Sequence, residues 1–259
     1  MKKHSLVIYT TILILVGASC AKAQIQTNKT AGQDTPESPL FPMSWELQLG
    51  ASYITNTNLS VNKPLSNSQT LSGSFYTFIS IAMGKKRNEH SVQGFSIRPG
   101  IGASINTFGL NKILENKAGQ SVFTNFMADT KYAYSYLQQV FVDVPLSIAY
   151  STASTNNKRH HEFAAGGTIG YMVYKESCFL VLNPDGYTVK SFTDIKNLNP
   201  LRYGVNGKIT SVKQRPGAKC GFTSSLSATY YFSELYMPAN NTPTKSFSVM
   251  LGIGFFIDK

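Results

Sequence analysis

Val140-Phe141-Val142-Asp143-Val144-Pro145-Leu146-Ser147-Ile148-Ala149-Tyr150 is the stretch that decides the fold. Val140, Val142, Val144, Leu146, Ile148 and Tyr150 alternate with Phe141, Asp143, Pro145, Ser147 and Ala149. A period of two marks a strand with one apolar face. Eleven residues is long for a soluble sandwich strand, at about 5–6, and right for a tilted membrane crossing, at about 9–11.

The pattern recurs on both sides. Upstream, Trp45, Leu47, Leu49, Ala51 and Tyr53 alternate with Glu46, Gln48, Gly50 and Ser52. Phe75, Ile79, Ile81 and Met83 mark a run over 74–84. Phe95, Ile97, Ile101, Ala103 and Ile105 alternate with Ser96, Arg98, Gly100, Gly102 and Ser104. Downstream, Phe163, Ile169, Tyr171 and Val173 face away from Glu162, Ala164, Gly166 and Gly170. Tyr203, Val205 and Ile209 alternate with Arg202, Gly204 and Lys208. Phe222, Leu226, Ala228 and Tyr230 alternate with Thr223, Ser225, Ser227 and Thr229. Phe247, Val249, Leu251, Ile253 and Phe255 alternate with Ser248, Met250, Gly252 and Gly254.

Eight such runs fit two architectures. A soluble sandwich puts its second face in water, where Lys, Glu and Asp are expected. Here that face is mostly Gly, Ser, Thr and Ala with a few rings, as a crowded lumen requires. The expected fold is all-β: a transmembrane antiparallel up-and-down β-barrel of about eight strands. The connections at 56–72, 109–131, 176–200 and 235–244 are longer than those at 85–91, 151–159 and 212–218. Long external loops and short periplasmic turns alternate in this way in outer-membrane barrels. Within 109–131, Leu110, Ile113, Leu114 and Lys117 predict a short helix capping the mouth. Asn183-Pro184-Asp185-Gly186 predicts a turn.

Composition agrees. The 259 residues are 42% hydrophobic, 12% aromatic and 14% charged. That excludes a disordered chain. The slightly negative mean hydropathy excludes a multi-span helical membrane protein. Lys2 and Lys3, the apolar Leu6 to Ala18, and Ala21-Lys22-Ala23 form a secretory signal with cleavage before Gln24. Lipidation at Cys20 is the alternative. Cleavage leaves 21 basic and 13 acidic residues, a charge of +8. The expected organisation is a signal peptide over 1–23, a periplasmic linker over 24–43 containing Pro36, Pro39 and Pro42, and the barrel over 44–259. The expected location is the outer membrane.

Phe141-Val142-Asp143-Val144-Pro145-Leu146 resembles a strand of the PorT-like outer-membrane β-barrels of the Bacteroidetes type. Ala165 to Tyr171 is similar to the strand that follows it. Asn199-Pro200-Leu201-Arg202-Tyr203-Gly204-Val205 and the closing Ser248 to Phe256 are also similar, so the likeness spans roughly 45–259. Asp143 stands where the family more often has Glu, and the chain runs past its last aromatics to Asp258 and Lys259. The resemblance implies a barrel in the outer membrane and an accessory role in protein secretion or gliding. Fold alone does not assign function.

The candidates for chemistry are sparse. His90, His160 and His161 fall in periplasmic turns and read as solvated. His160-His161-Glu162 lacks a further ligand at metal spacing. Lys85-Lys86-Arg87 has no interleaved aromatics and does not predict nucleic-acid binding. Gly100-Ile101-Gly102 lies within a strand and does not cradle a phosphate. No catalytic residue, cofactor or metal is expected. The expected partners are outer-membrane lipid and, during biogenesis, the barrel-assembly machinery; no protein or ligand partner is identified.

The lumen is the candidate site. The alternation turns Glu46, Asp143 and Glu162 inward together with Arg98, Arg202 and Lys208. Three acids and three bases in a low-dielectric interior predict a structural ion-pair network. Tyr76, Phe78, Phe141, Tyr231 and Phe256 face inward as well and predict a filled lumen. The functions weighed are surface display or envelope organisation, the secretion role, a small porin-like channel, and a hydrolase. Cys178 and Cys220 are expected at opposite rims, about 25 Å apart, and therefore unpaired.

Overall fold

The computed structural model describes residues 43–54, 71–83, 94–110, 112–117, 120–125, 133–152, 159–183, 186–196, 198–214, 220–235 and 245–257. Among them lie β1 (Met43–Ile54), β2 (Leu71–Ile79), β3 (Ile81–Met83), β4 (Gly94–Leu110), β5 (Ile113–Lys117), β6 (Gln120–Thr124), β7 (Ala133–Ser151), β8 (Arg159–Asn183), β9 (Gly186–Phe192), β10 (Leu201–Gln214), β11 (Cys220–Tyr231) and β12 (Ser246–Ile257). The signal, linker residues 24–42, the Lys85-Lys86-Arg87 cluster and His90 lie outside the described residues, and Met43, expected in the linker, begins β1.

The wall is closed and antiparallel. β1 pairs with β2, β2 and β3 with β4, β4 with β7, β7 with β8, β8 with β10, β10 with β11, β11 with β12, and β12 with β1. β2 and β3 form one wall strand. They keep one register on β4, with Phe78 opposite Gly100 and Ile81 opposite Ile97. The break between them faces Pro99, which has no N–H to give the ladder. The barrel therefore has eight wall strands, one for each alternating run.

The tilt follows from the register. A path from Arg202 passes through Gly170, Asp143, Gly102, Tyr76, Glu46, Gly254 and Thr223. It returns to β10 at Val212, ten residues beyond its start. A shear of ten over eight strands, with a rise of about 3.3 Å and a spacing of about 4.8 Å, sets a tilt of about 40°.

The two faces separate as the sequence predicts. Leu251, Leu226 and Val142 are 68%, 48% and 41% exposed, whereas Ser227 and Asp143 are 8% and 0% exposed. So much exposed apolar surface has lipid as its natural solvent. Rings bound this band. Trp45 stacks on Phe255 at 5.2 Å near the end that carries Met43 and Ile257, and Tyr53 stacks on Phe247 at 5.1 Å near the other. Eight residues of β1 separate the two levels, about 20 Å of height at this tilt.

Above the band, the wall becomes a cap. β5 and β6 form a separate hairpin. Ile54, Phe108, Leu110, Leu114, Leu137, Ile195, Leu198 and Leu235 build a buried apolar cluster there. Ser177 Oγ donates to the Leu114 carbonyl at 2.9 Å, and the Lys196 N–H donates to Ser121 Oγ at 2.7 Å. These bonds fasten the hairpin to β8 and to the segment after β9.

Three expectations change here. The predicted helix at 110–117 is strand: Leu110 ends β4, and Ile113 to Lys117 pair with β6. The apolar spacing that mimics a helix reflects Leu110 and Leu114 reaching one cluster from two strands. The 176–200 connection is not all loop, because β8 continues to Asn183 and pairs with β9. The loop at 109–131 likewise contains β5 and β6. Pro184 and Asp185 of the expected turn lie outside the described residues; on either side of them Asn183 stands opposite Gly186, whose φ of +126° suits glycine.

Candidate functional site

Arg202 and Asp143 tie the lumen together near mid-height. Both face inward, on β10 and β7, with Gly170 of β8 between them in the register. A Cβ on Gly170 would collide with Asp143 Oδ1, so glycine is what lets the two meet. Arg202 Nη2 donates to Asp143 Oδ2 at 2.6 Å and to Oδ1 at 2.8 Å, and Nε donates to Oδ1 at 3.1 Å. Tyr76 and Ser104 hydroxyls donate to Oδ2 at 3.1 and 2.6 Å. Arg202 Nη2 also reaches Ser104 Oγ. The guanidinium lies 3.8 Å from the Phe141 ring centre and 4.5 Å from that of Tyr231. Rings and carboxylate thus replace the water a buried arginine would otherwise hold.

Two further pairs flank this knot. Lys208 Nζ donates to Glu46 Oε2 at 2.6 Å and sits 4.5 Å from the Phe78 ring centre. Gln48 Nε2 donates to Glu46 Oε1 at 3.0 Å, and Ser225 also donates there. Gln48 Oε1 in turn accepts from Ser74 and Ser227 at 3.0 and 3.3 Å. Toward the end bearing Met43, Arg98 Nη1 and Nη2 grip both oxygens of Glu162 at 2.7 and 2.6 Å. Ser151 Oγ adds a bond to Glu162 Oε1 at 3.0 Å.

All six charged residues singled out from the sequence therefore lie in the lumen as three pairs: Arg202 with Asp143, Lys208 with Glu46, and Arg98 with Glu162. Each of these three carboxylates takes donors on both oxygens. Phe78, Phe141 and Tyr231 are buried beside them. Phe78 covers Gly100, where a Cβ would approach its ring to 2.6 Å. Large rings occupy the space the glycines leave.

The histidine reading needs correction. His160 is not a solvated turn residue. It is the second residue of β8, is buried, and places Nε2 3.6 Å from Glu162 Oε1. Its parity with Glu162, two residues on, was the available signal. His161 takes the opposite face and is exposed. Ser104, which the alternation turns inward but nothing singles out for chemistry, and Gln139, which the sequence reading passed over, are both luminal. Both hold inward parity on β4 and β7, but a lone Ser or Gln on such a face carries no chemical signature. Cys178 is buried above the band and Cys220 is exposed at the other end, opposite Ile257. Among the described residues, no group of three His, Cys, Asp or Glu side chains is placed to hold a metal.

A closed register, an apolar belt edged with rings, and a polar lumen define a transmembrane β-barrel of the outer-membrane type. The protein sits in the outer membrane. No family model matches the chain, and no curated protein is similar to it in sequence. Among solved structures it is similar to Ail, the attachment invasion locus protein of Yersinia pestis, at 10% identity and a TM-score of 0.37, over 84% of this chain and 99% of that one. It is similar to Neisserial surface protein A at 8% identity and a TM-score of 0.36, over 85% and 97%. It is also similar to the outer membrane protease OmpT from Escherichia coli at 10% identity and a TM-score of 0.38, over 86% and 99%. Likenesses this loose carry nothing about function, and the barrel rests on its own hydrogen-bond register.

Proposed function

We propose that this chain is a non-enzymatic outer-membrane barrel with a plugged lumen. It acts through the loops at its mouth, in surface contact or envelope organisation. The observation that carries the reading is the packing around Arg202: one guanidinium held by Asp143 and flanked by Phe141 and Tyr231 across a narrow interior. An eight-stranded barrel is just wide enough for side chains to fill. The equal number of acids and bases selects for neither ion sign, which argues against a channel lining. Donors on both oxygens of Asp143, Glu46 and Glu162 argue against any of these three as a general base. Planar-bilayer recording of the purified protein tests this. The expected record has no stable, porin-sized steps, and such steps would overturn the plug.

A second reading, an accessory role in protein secretion or gliding, rests on the PorT-like stretch Phe141 to Leu146. Its central acid, Asp143, is the residue that anchors the lumen. Deletion of the gene tests it: loss of secreted protein or of gliding favours this role, and an unchanged secretome favours display alone.

A further inference from the structure

Between the Arg202 knot and the apolar cap lies a pocket lined by Phe108, Phe141, Gln139, Arg202, Asn199 and Glu234, among others. Two of its buried polar side chains carry atoms with no hydrogen-bond partner among the described residues. Gln139 is 1% exposed, and neither its Oε1 nor its Nε2 has a hydrogen-bond partner among the described residues. Arg202 is 5% exposed; Nε and Nη2 are taken up by Asp143, while Nη1 has no partner among the described residues. A buried amide with both ends unbonded is rare in folded proteins, because each end has lost water without replacement.

We propose that this pocket binds a neutral hydroxyl group. The group accepts from Arg202 Nη1 or Gln139 Nε2 and donates to Gln139 Oε1. Charge and size both select it. The Arg202 charge is already answered by Asp143, and Glu234 stands in the lining, so an anion would find no uncompensated cation. The free space is about 10 Å³, close to what one water-sized group fills. The hydroxyl can belong to solvent, or to the tip of a polyol whose remainder stays outside this water-sized space. The inference holds whether or not the lumen conducts ions.

Proton NMR of the full barrel in detergent micelles, with Gln side-chain amides labelled with nitrogen-15, tests it. The Gln139 resonance is assigned by its loss in Gln139→Leu, or in Gln139→Met if the leucine variant does not fold. A direct cross-relaxation peak to long-lived water supports the site with solvent as the source. A saturable shift on titration with glycerol, absent in the variant, supports it with a polyol as the source. An amide that shows neither overturns the proposal. A saturable shift with acetate but not with glycerol overturns its neutrality.

Discussion

The lipid-height wall and the cap above it are built from the same chain and the same hydrogen-bond ladder, yet they read differently in sequence. Along β12, every second residue from Phe247 to Ile253 meets lipid and every residue between meets the lumen. Two solvents impose two chemistries, and the alternation records them. Above the bulge where Val140 faces Tyr174 and Phe141 faces Met172, Val173 is the extra residue on β8 and the inward parity shifts. Beyond it Ser177, Cys178 and Phe179 are buried consecutively, because protein covers both faces. A strand buried on both sides has no reason to alternate.

The largest effect expected from breaking this contrast is in the wall. Asp143→Ala strands Arg202 in the lumen and should cost about 3–5 kcal/mol, the usual penalty for orphaning a buried charge. Asp143→Ala combined with Arg202→Met should cost less than Asp143→Ala alone. Urea unfolding in detergent, read by heat-modifiable gel mobility, measures both. A double-variant loss equal to the sum of the losses of Asp143→Ala and Arg202→Met alone would mean that the pair is not coupled.

Leu114→Ala addresses the cap. Removing a fully buried leucine from the apolar cluster should cost about 2–5 kcal/mol locally. Because the hairpin is outside the closed wall, the loss should appear as faster amide exchange in β5 and β6, with β1 and β12 still protected. Faster exchange throughout would show that cap and wall unfold together.

The same substitution in both regions sharpens the comparison. Leu251 and Val189 are both large and exposed, at 68% and 56%. Leu251 lies midway between the two ring levels, so Leu251→Arg should destabilise by about 2–4 kcal/mol. Val189 lies on β9 above the band, where Arg meets water, and Val189→Arg should stay within about 0.5 kcal/mol. Similar costs at both sites would place the lipid boundary wrongly.

The smallest effect separates the cysteines. Cys220 is exposed at one rim. Cys178 is buried above the opposite ring level, and burial pushes its thiol above the ordinary range. A water-soluble maleimide should therefore modify Cys220 at least about tenfold faster, since the thiolate is the reacting form. A non-reducing mass spectrum should show both thiols free, and a Cys178–Cys220 bond would refute the topology.

Legibility followed the solvents. The eight wall strands were readable from Trp45 onward, and so were Glu46, Arg98, Asp143, Glu162, Arg202 and Lys208, because a charge at inward parity stands out against glycine and serine. Their pairing was not readable. Which base meets which acid depends on a shear that carries Arg202 past Gly170, and no local pattern states the shear. His160 was misplaced because strand ends are the least certain part of a periodic reading. The β5 strand was misread because Leu110 and Leu114 share helical spacing while belonging to two strands that enter one cluster.

The account turns on one face of each wall strand meeting lipid and the other a packed interior. A nitroxide scan along β12, with Cys178 and Cys220 replaced by Ser, measures this directly. Labels at Phe247, Val249, Leu251 and Ile253 should collide freely with oxygen dissolved in the bilayer. Those at Ser248, Met250 and Gly252 should not, giving a period of two that peaks at Leu251. Equal accessibility at the two sets, or higher oxygen accessibility at Ser248 and Met250, would contradict it.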